Sequence, residues 1–342
     1  MPRGGLRLLL LPLLLSLLLL AEPFSGTCSG GPTHLAVLVH GYMGQPGDLT
    51  YLKDTITTFG KGAVLAYTPY CNSGRTRDGV RAGGERVAEE VMRVVQEHPS
   101  LRDISFVGNS LGGLYSRYAL SVLWDPEART IAGLRPVSFL TVATPHLGVR
   151  RFLAVPVPER LHFTAPLFLG QTGNDLFLRP TEPGKTVPLL LRMTLDDTFM
   201  VPLAAFKHRR AYGNSKEDLL VPLGTALFSP MSTVGDHWSF KEKLVVPDPE
   251  TAHATLEIYH LPAVTTAEDE EEEEDKGGNW MEHTMARRLD GVGWEKIAVS
   301  FRFPLLQAHN RICALSRTPL LAYLYRQGRG VMDHCAQLVV DG

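Results

Sequence analysis

Cysteine is scarce in this chain: Cys28, Cys71, Cys313 and Cys335 are four in 342 residues, and no two stand at C-x-x-C spacing. A structural zinc site of the finger or ribbon kind therefore has no support. In an oxidising compartment four cysteines allow three pairings. Cys313 with Cys335, which flank one expected helix, is a reasonable pair, and free buried thiols are the equal alternative. A surplus of charge of one sign is also missing. The formal net charge of −2 argues against nucleic acid as a partner. That balance hides an uneven layout: Glu268 to Asp275 is eight consecutive acids, which leaves the rest of the chain at +6. The run reads as a solvated, disordered loop over residues 265–279, with a basic partner or Ca²⁺ as the sharper alternative.

A long hydrophobic run is absent as well. The longest, Leu8 to Leu20, has thirteen residues, eleven of them Leu, against the roughly 20 that a membrane-spanning helix needs. Arg3 and Arg7 precede it, and Ala21, Pro23, Gly26 and Ser29 follow. This is the layout of a secretory signal peptide, so residues 1–26 are set aside from the fold and a secreted or ER-associated protein is expected. No A-x-A cleavage site is present, which leaves a signal anchor open. A plastid transit segment is the other alternative, although the stretch is not rich in Ser and Arg.

What is present starts with Ile104 to Tyr118. Residues rich in β-branched and aromatic types lead into Gly108-Asn109-Ser110-Leu111-Gly112, and an amphipathic helix pattern follows at once. Strand, sharp turn and helix around G-x-S-x-G are the setting of a nucleophile elbow. There the serine adopts a strained conformation, and the positions two away must be small to let strand and helix approach. Ser110 is the candidate nucleophile.

Leu35-Ala36-Val37-Leu38-Val39 is a continuous apolar run, as expected for a parallel-sheet strand covered on both faces. It ends in His40-Gly41-Tyr42-Met43-Gly44, a glycine-bounded turn suited to aiming backbone amides into the crevice above the sheet. The amide of Tyr42 or Met43, paired with that of Leu111, is the expected oxyanion hole. His40 is expected to orient that turn. Ala63 to Tyr67 reads as a second strand, and Val80 to His98 as a helix with Val87, Val91, Val94 and Val95 on one face, stopped before Pro99. Val137 to Ala143 reads as a further strand running into Thr144-Pro145-His146-Leu147-Gly148, where His146 is expected to structure the loop. The alternation of strands and helices predicts an α/β fold with a mostly parallel central sheet and helices on both faces. From residue 149 to about 195 many apolar residues are broken by Pro156, Pro158, Pro166 and Pro180, the composition expected of a cap or lid insertion.

Two later segments complete the chemistry. Asp218 lies on the loop beyond the late strand Arg209 to Gly213, and its place after the serine and before a histidine fits the order Ser…Asp…His. Asp196, Asp197 and Asp236 are its rivals. His309 follows the last strand, Trp294 to Arg302, where an imidazole with a pKa near 6.5 could take a proton from Ser110 and return it. His334, in a closing helix, is the alternative.

Seven stretches in one order add up to a family likeness: His34 to Gly44, Asp78 to Ala88, Phe106 to Tyr118, Thr144 to Gly148, Pro188 to Met193, Ala211 to Asp218 and Ala308 to Asn310. Together they resemble the serine-esterase family of lipase-like α/β-hydrolases from plants, algae and fungi. The likeness covers roughly residues 34 to 340. It implies one α/β-hydrolase domain over residues 27–342, hydrolysis of lipid-type carboxylic esters, and Ser110, Asp218 and His309 as the catalytic set. Asn109 departs from the histidine that many members place before the serine, and the leader and acidic insertion are atypical. The expectation is a serine hydrolase of carboxylic esters that uses neither cofactor nor metal and makes transient contact with a lipid surface. Acyl transfer to an alcohol through the same triad, and a non-catalytic hydrolase-like binding protein, are the alternatives.

Overall fold

A computed structural model of the chain describes residues 30–152, 164–180, 184, 186–229, 239–246, 254–261, 279–301 and 307–342. Pro32 to Gly342 forms one compact unit. Its centre is an eight-stranded sheet. The strands are β1 (His34–Val39), β2 (Val64–Tyr67), β3 (Asp103–Asn109), β4 (Arg135–Val142), β5 (His208–Asn214), β6 (Ser239–Val246), β7 (Ala254–Leu261) and β8 (Trp294–Phe301). They lie in the order β2-β1-β3-β4-β5-β8-β7-β6. The first six positions pair in parallel, and β7 and β6 add an antiparallel edge.

The continuous apolar runs have the cause expected of them. On β1, Leu35, Val37 and Val39 enter one core, while Ala36 and Leu38 enter the other. A strand buried on both faces cannot alternate with polar residues, since each polar side chain would need a buried partner. On one face lie α1 (Thr50–Gly60) and, at the end of the chain, α8 (Arg329–Asp341). On the other lie α2 (Val80–Glu97), α3 (Leu111–Leu123), α4 (Leu189–Leu195), α5 (Asp197–Ala204) and α6 (Trp280–Asp290). The valine stripe of α2 packs there: Val80, Val87, Val91 and Val94 are all buried. At roughly 1.5–3 kcal/mol per fully buried aliphatic side chain, that stripe outweighs any intrinsic helix preference of its valines.

Strand order determines where a site can form. β1 connects outward to β2, whereas β3 connects the opposite way to β4, so the two adjacent strands send their next elements apart. Above their C-terminal ends the connections leave a crevice, the usual ligand position in an open α/β sheet. The turns after β1 and β3 both border it.

The β6–β7 hairpin is absent from the sequence reading. Lys241, Glu242 and Lys243 interrupt the apolar pattern on β6 because that strand is the exposed edge of the sheet, where charge deters pairing with other chains. Of the two alternatives for the cysteines the structure has the second: Cys313 and Cys335 are both buried free thiols, not a pair. Cys313 Sγ donates to the carbonyl of Asn310 at 3.4 Å, and Cys335 lies against Tyr212 on β5. Cys28, Asp236, the leader and nearly all of the acidic stretch fall outside the described residues. In the segment expected to be a cap, short helices run Ala165–Leu169 and Gln171–Leu176, whereas Leu189, Leu190, Leu191 and Met193 of α4 are buried in the main core.

Candidate active site

Ser110 occupies the tip of the turn between β3 and α3, at φ +54° and ψ −126°. A non-glycine residue with positive φ is strained, and here the surroundings impose it: Ser110 N donates to Val142 O at 2.8 Å and Ser110 O accepts from Gly113 N at 3.1 Å. The flanking glycines have a steric cause. A Cβ on Gly112 would stand 2.1 Å from the carbonyl oxygen of Val39, and one on Gly108 would stand 2.4 Å from Gly113 Cα. Strand and helix touch at backbone distance, so the hydroxyl is pushed out of the turn.

Three side chains from distant parts of the chain meet at this point. His309 lies in α7 (Ala308–Ile312), a short helix rather than an open loop. Its Nε2 is 2.9 Å from Ser110 Oγ, and its Nδ1 is 3.0 Å from Asp218 Oδ2. The ionised carboxylate only accepts, so the network assigns the proton to Nδ1 and leaves Nε2 free to accept from the serine hydroxyl. Asp218 is held in turn by four donors. Oδ1 accepts from Leu220 N at 3.1 Å and Val221 N at 2.8 Å, and Oδ2 accepts from Asn214 Nδ2 at 2.7 Å as well as from His309. The Asp218 side chain is 1% exposed and that of His309 is 12% exposed, which keeps the pair out of bulk water.

The turn after β1 lies against the serine. A Cβ on Gly41 would come within 2.7 Å of Ser110 Cβ, so only glycine lets this backbone approach. Of the two amides expected as alternatives beside Leu111, that of Met43 is occupied: its N–H donates to Thr76 Oγ1 at 2.9 Å. Among the described residues the amides of Tyr42 and Leu111 have no such partner. His40 Nδ1 contacts Gly41 O at 3.1 Å, and burial lowers its pKa, so a neutral imidazole braces the turn.

The rivals lie elsewhere. Asp196 caps α5, accepting from Thr198 N at 2.9 Å, and Asp197 is exposed on its first turn. His334 contacts Tyr212 Oη at 2.9 Å through Nδ1, and burial pushes its pKa down to about 4. His146 is wholly buried below the crevice, with Nε2 3.0 Å from Thr141 Oγ1 and Nδ1 3.4 Å from Arg117 Nη1. Desolvation holds it well below its ordinary pKa, with the Arg117 cation adding to the effect.

Asn214 and Thr76 are site residues that sequence reasoning missed. Asn214 stands at the end of β5, four residues before the acid, and that spacing was the available signal. Thr76 carried none, since its role comes from a contact across 33 residues.

Residues 29–233 match the family described as "Putative serine esterase (DUF676)". The chain belongs to that family. Among curated relatives it is 33% identical over 201 residues to "Putative lipase ROG1" of Saccharomyces cerevisiae, covering 56% of this chain and 28% of that protein. To "Putative lipase C4A8.10" of Schizosaccharomyces pombe it is 32% identical over 211 residues, covering 57% and 26%. The chain thus matches little more than a quarter of each relative's length. Among solved structures, the mature form of the Bacillus licheniformis lipase BlEst2 aligns with TM-score 0.36 and 18% identity over 59% of this chain and 71% of that one. Family membership and sheet order agree on the architecture: an α/β-hydrolase with a mostly parallel central sheet.

Proposed function

We propose that the chain is a carboxylic-ester hydrolase that works through an acyl-enzyme on Ser110. The observation that carries this reading is the hydrogen-bond chain from Asp218 through His309 to Ser110, with distances of 3.0 and 2.9 Å. His309 takes the serine proton as Ser110 Oγ attacks the ester carbonyl, and the oxyanion is received by the amides of Tyr42 and Leu111. His309 then protonates the leaving alcohol. In the second half it takes a proton from water, whose oxygen attacks the acyl carbonyl, and returns that proton to Ser110. Asp218 keeps the imidazole in the working tautomer throughout.

Lipid acyl esters are the substrate class that the surroundings favour. Met43, Tyr70, Leu167, Phe168, Leu219 and Leu220 are each 46–73% exposed. They belong to the turn after β1, the loop after β2, the helix Ala165–Leu169 and the acid loop. Tyr42 Oη reaches Phe168 O at 3.4 Å, which joins the helix to the turn beside Ser110. Apolar side chains on those segments suit an acyl chain or a lipid surface better than a polar ester. The leader at residues 1–26 fits action in the secretory pathway.

Labelling with a fluorophosphonate probe tests the reaction. Wild-type protein should label at one site and hydrolyse p-nitrophenyl acyl esters, and Ser110→Ala should do neither while unfolding at nearly the same urea concentration. A folded wild-type protein that resists the probe would overturn the proposal. A panel graded by chain length and head group then reads the substrate class.

A further inference from the structure

The turn that would hold the oxyanion lies near the start of the fold, and the histidine lies near its end. Arg317, eight residues beyond His309, joins them. Its Nε donates to Asp48 Oδ1 at 2.6 Å and its Nη2 to Asp48 Oδ2 at 2.9 Å, a bidentate pair on a carboxylate whose side chain is 5% exposed. The same Nη2 donates to the carbonyl of Met43 at 3.1 Å. Asp48 Oδ2 also accepts from Gln45 N at 3.1 Å, and its backbone carbonyl accepts from Ser316 N at 3.1 Å. Ser316 Oγ in turn accepts from Tyr51 N at 3.0 Å.

What this grip does follows from Met43. That residue stands at φ +52° although it is not glycine, and it is 73% exposed, so hydrophobic packing does not hold it. Its amide is tied to Thr76 and its carbonyl to Arg317, one anchor on each side of a strained residue. Released at the carbonyl, Met43 could relax towards negative φ, and the Tyr42–Met43 peptide, whose N–H is tied to Thr76, would shift with it and carry along the adjoining Gly41–Tyr42 peptide that holds the Tyr42 amide. Donors of an oxyanion hole act only when held within roughly 0.5 Å of their working position.

We propose that Arg317 is a positioning residue for the oxyanion-binding turn, setting the Tyr42 amide against Ser110 and registering that turn to the segment that carries His309. The inference rests on the hydrolase reading above and adds a residue to it. Arginine suits the task and lysine does not, because one planar fork must serve two carboxylate oxygens and a carbonyl together.

The test compares Arg317→Ala, Arg317→Lys, Asp48→Ala and the Ala/Ala double variant with wild type in hydrolysis of p-nitrophenyl butyrate. It also measures inhibition by a trifluoromethyl ketone, which adds Ser110 Oγ to its carbonyl and leaves an oxyanion at this turn. Arg317→Ala should lower kcat about 10–100-fold, less than or comparable to the loss of one oxyanion donor. It should weaken the ketone by the same factor, leave KM within about threefold, and leave the pH midpoint of kcat/KM in place. Asp48→Ala should behave alike, the double variant should be no worse than either single, and lysine should recover little. Should the alanine variants fail to fold, Arg317→Lys and Asp48→Asn carry the same readouts. An unchanged kcat in Arg317→Ala, or a fall in kcat with ketone affinity retained, would overturn the positioning role alone. An inactive wild type would overturn the hydrolase reading, and this role with it.

Discussion

Asp218→Asn separates the work of the carboxylate from its place in the fold. The asparagine carbonyl can take the position of Oδ1 and keep the bonds from Leu220 N and Val221 N. Its amide nitrogen then stands where Oδ2 stood, facing two former donors, Asn214 Nδ2 and His309 Nδ1. The first conflict resolves locally: Asn214 Oδ1 is buried without a hydrogen-bond partner among the described residues, so a flip of that amide turns a clash into a hydrogen bond. Stability should therefore fall by no more than about 1–2 kcal/mol, the scale of one rearranged buried bond. The second conflict resolves only by moving the imidazole proton from Nδ1 to Nε2. Nε2 then faces Ser110 Oγ as a donor and cannot accept the serine proton. Loss of the working tautomer costs on the order of 10⁴ in kcat in a serine protease, and a similar fall, about 5 kcal/mol in barrier, is expected here. Fluorophosphonate labelling rate and p-nitrophenyl butyrate hydrolysis measure the loss, and urea denaturation measures the fold. Activity within tenfold of wild type in the folded variant would refute the assignment of Asp218. Asp218→Ala, by contrast, strips the buried Val221 amide of its acceptor and should destabilise by roughly 1–3 kcal/mol, the cost of one orphaned buried amide.

Other outcomes follow from the same contacts. Gly112→Ala drives a Cβ to 2.1 Å from the Val39 carbonyl and should cost at least about 3 kcal/mol in urea denaturation. In Gly291→Ala the new Cβ would meet its nearest neighbour at 3.4 Å, so equal losses in the two variants would discredit the close approach of β1 and α3. Burial lowers the pKa of His34, His40, His146 and His334, the last to about 4. The unfolded chain takes up these protons near pH 6.5 and the folded chain only at lower pH. Stability from these groups is therefore complete above pH 6.5 and drains as pH falls, by up to about 1.4 kcal/mol per unit for each group. Urea midpoints at pH 7 and 5 read this directly, His334→Gln should flatten the slope, and equal midpoints would refute it.

Apolar runs long enough for one strand each, a valine stripe at helical spacing and the glycines around Ser110 were legible because they are local. Covalent spacing alone brings Gly108 against Gly113 across the tight turn, and the period of a strand or helix alone decides which side chains share a face. The order Ser110, Asp218, His309 was legible too, as a matter of position after successive strands. The edge hairpin β6–β7 was not, since an exposed edge strand carries charge and loses its alternation. Nor were the occupied amide of Met43 or the grip of Arg317 on Asp48. Each depends on a contact between residues tens to hundreds of positions apart, and no local pattern encodes which distant partner arrives. The sequence by itself therefore determined the alternating layers and the serine's strained turn. Only the tertiary structure decided which amides face that serine and which donors hold its carboxylate, because the sheet order brings the ends of β1, β3, β5 and β8 to one edge of the molecule.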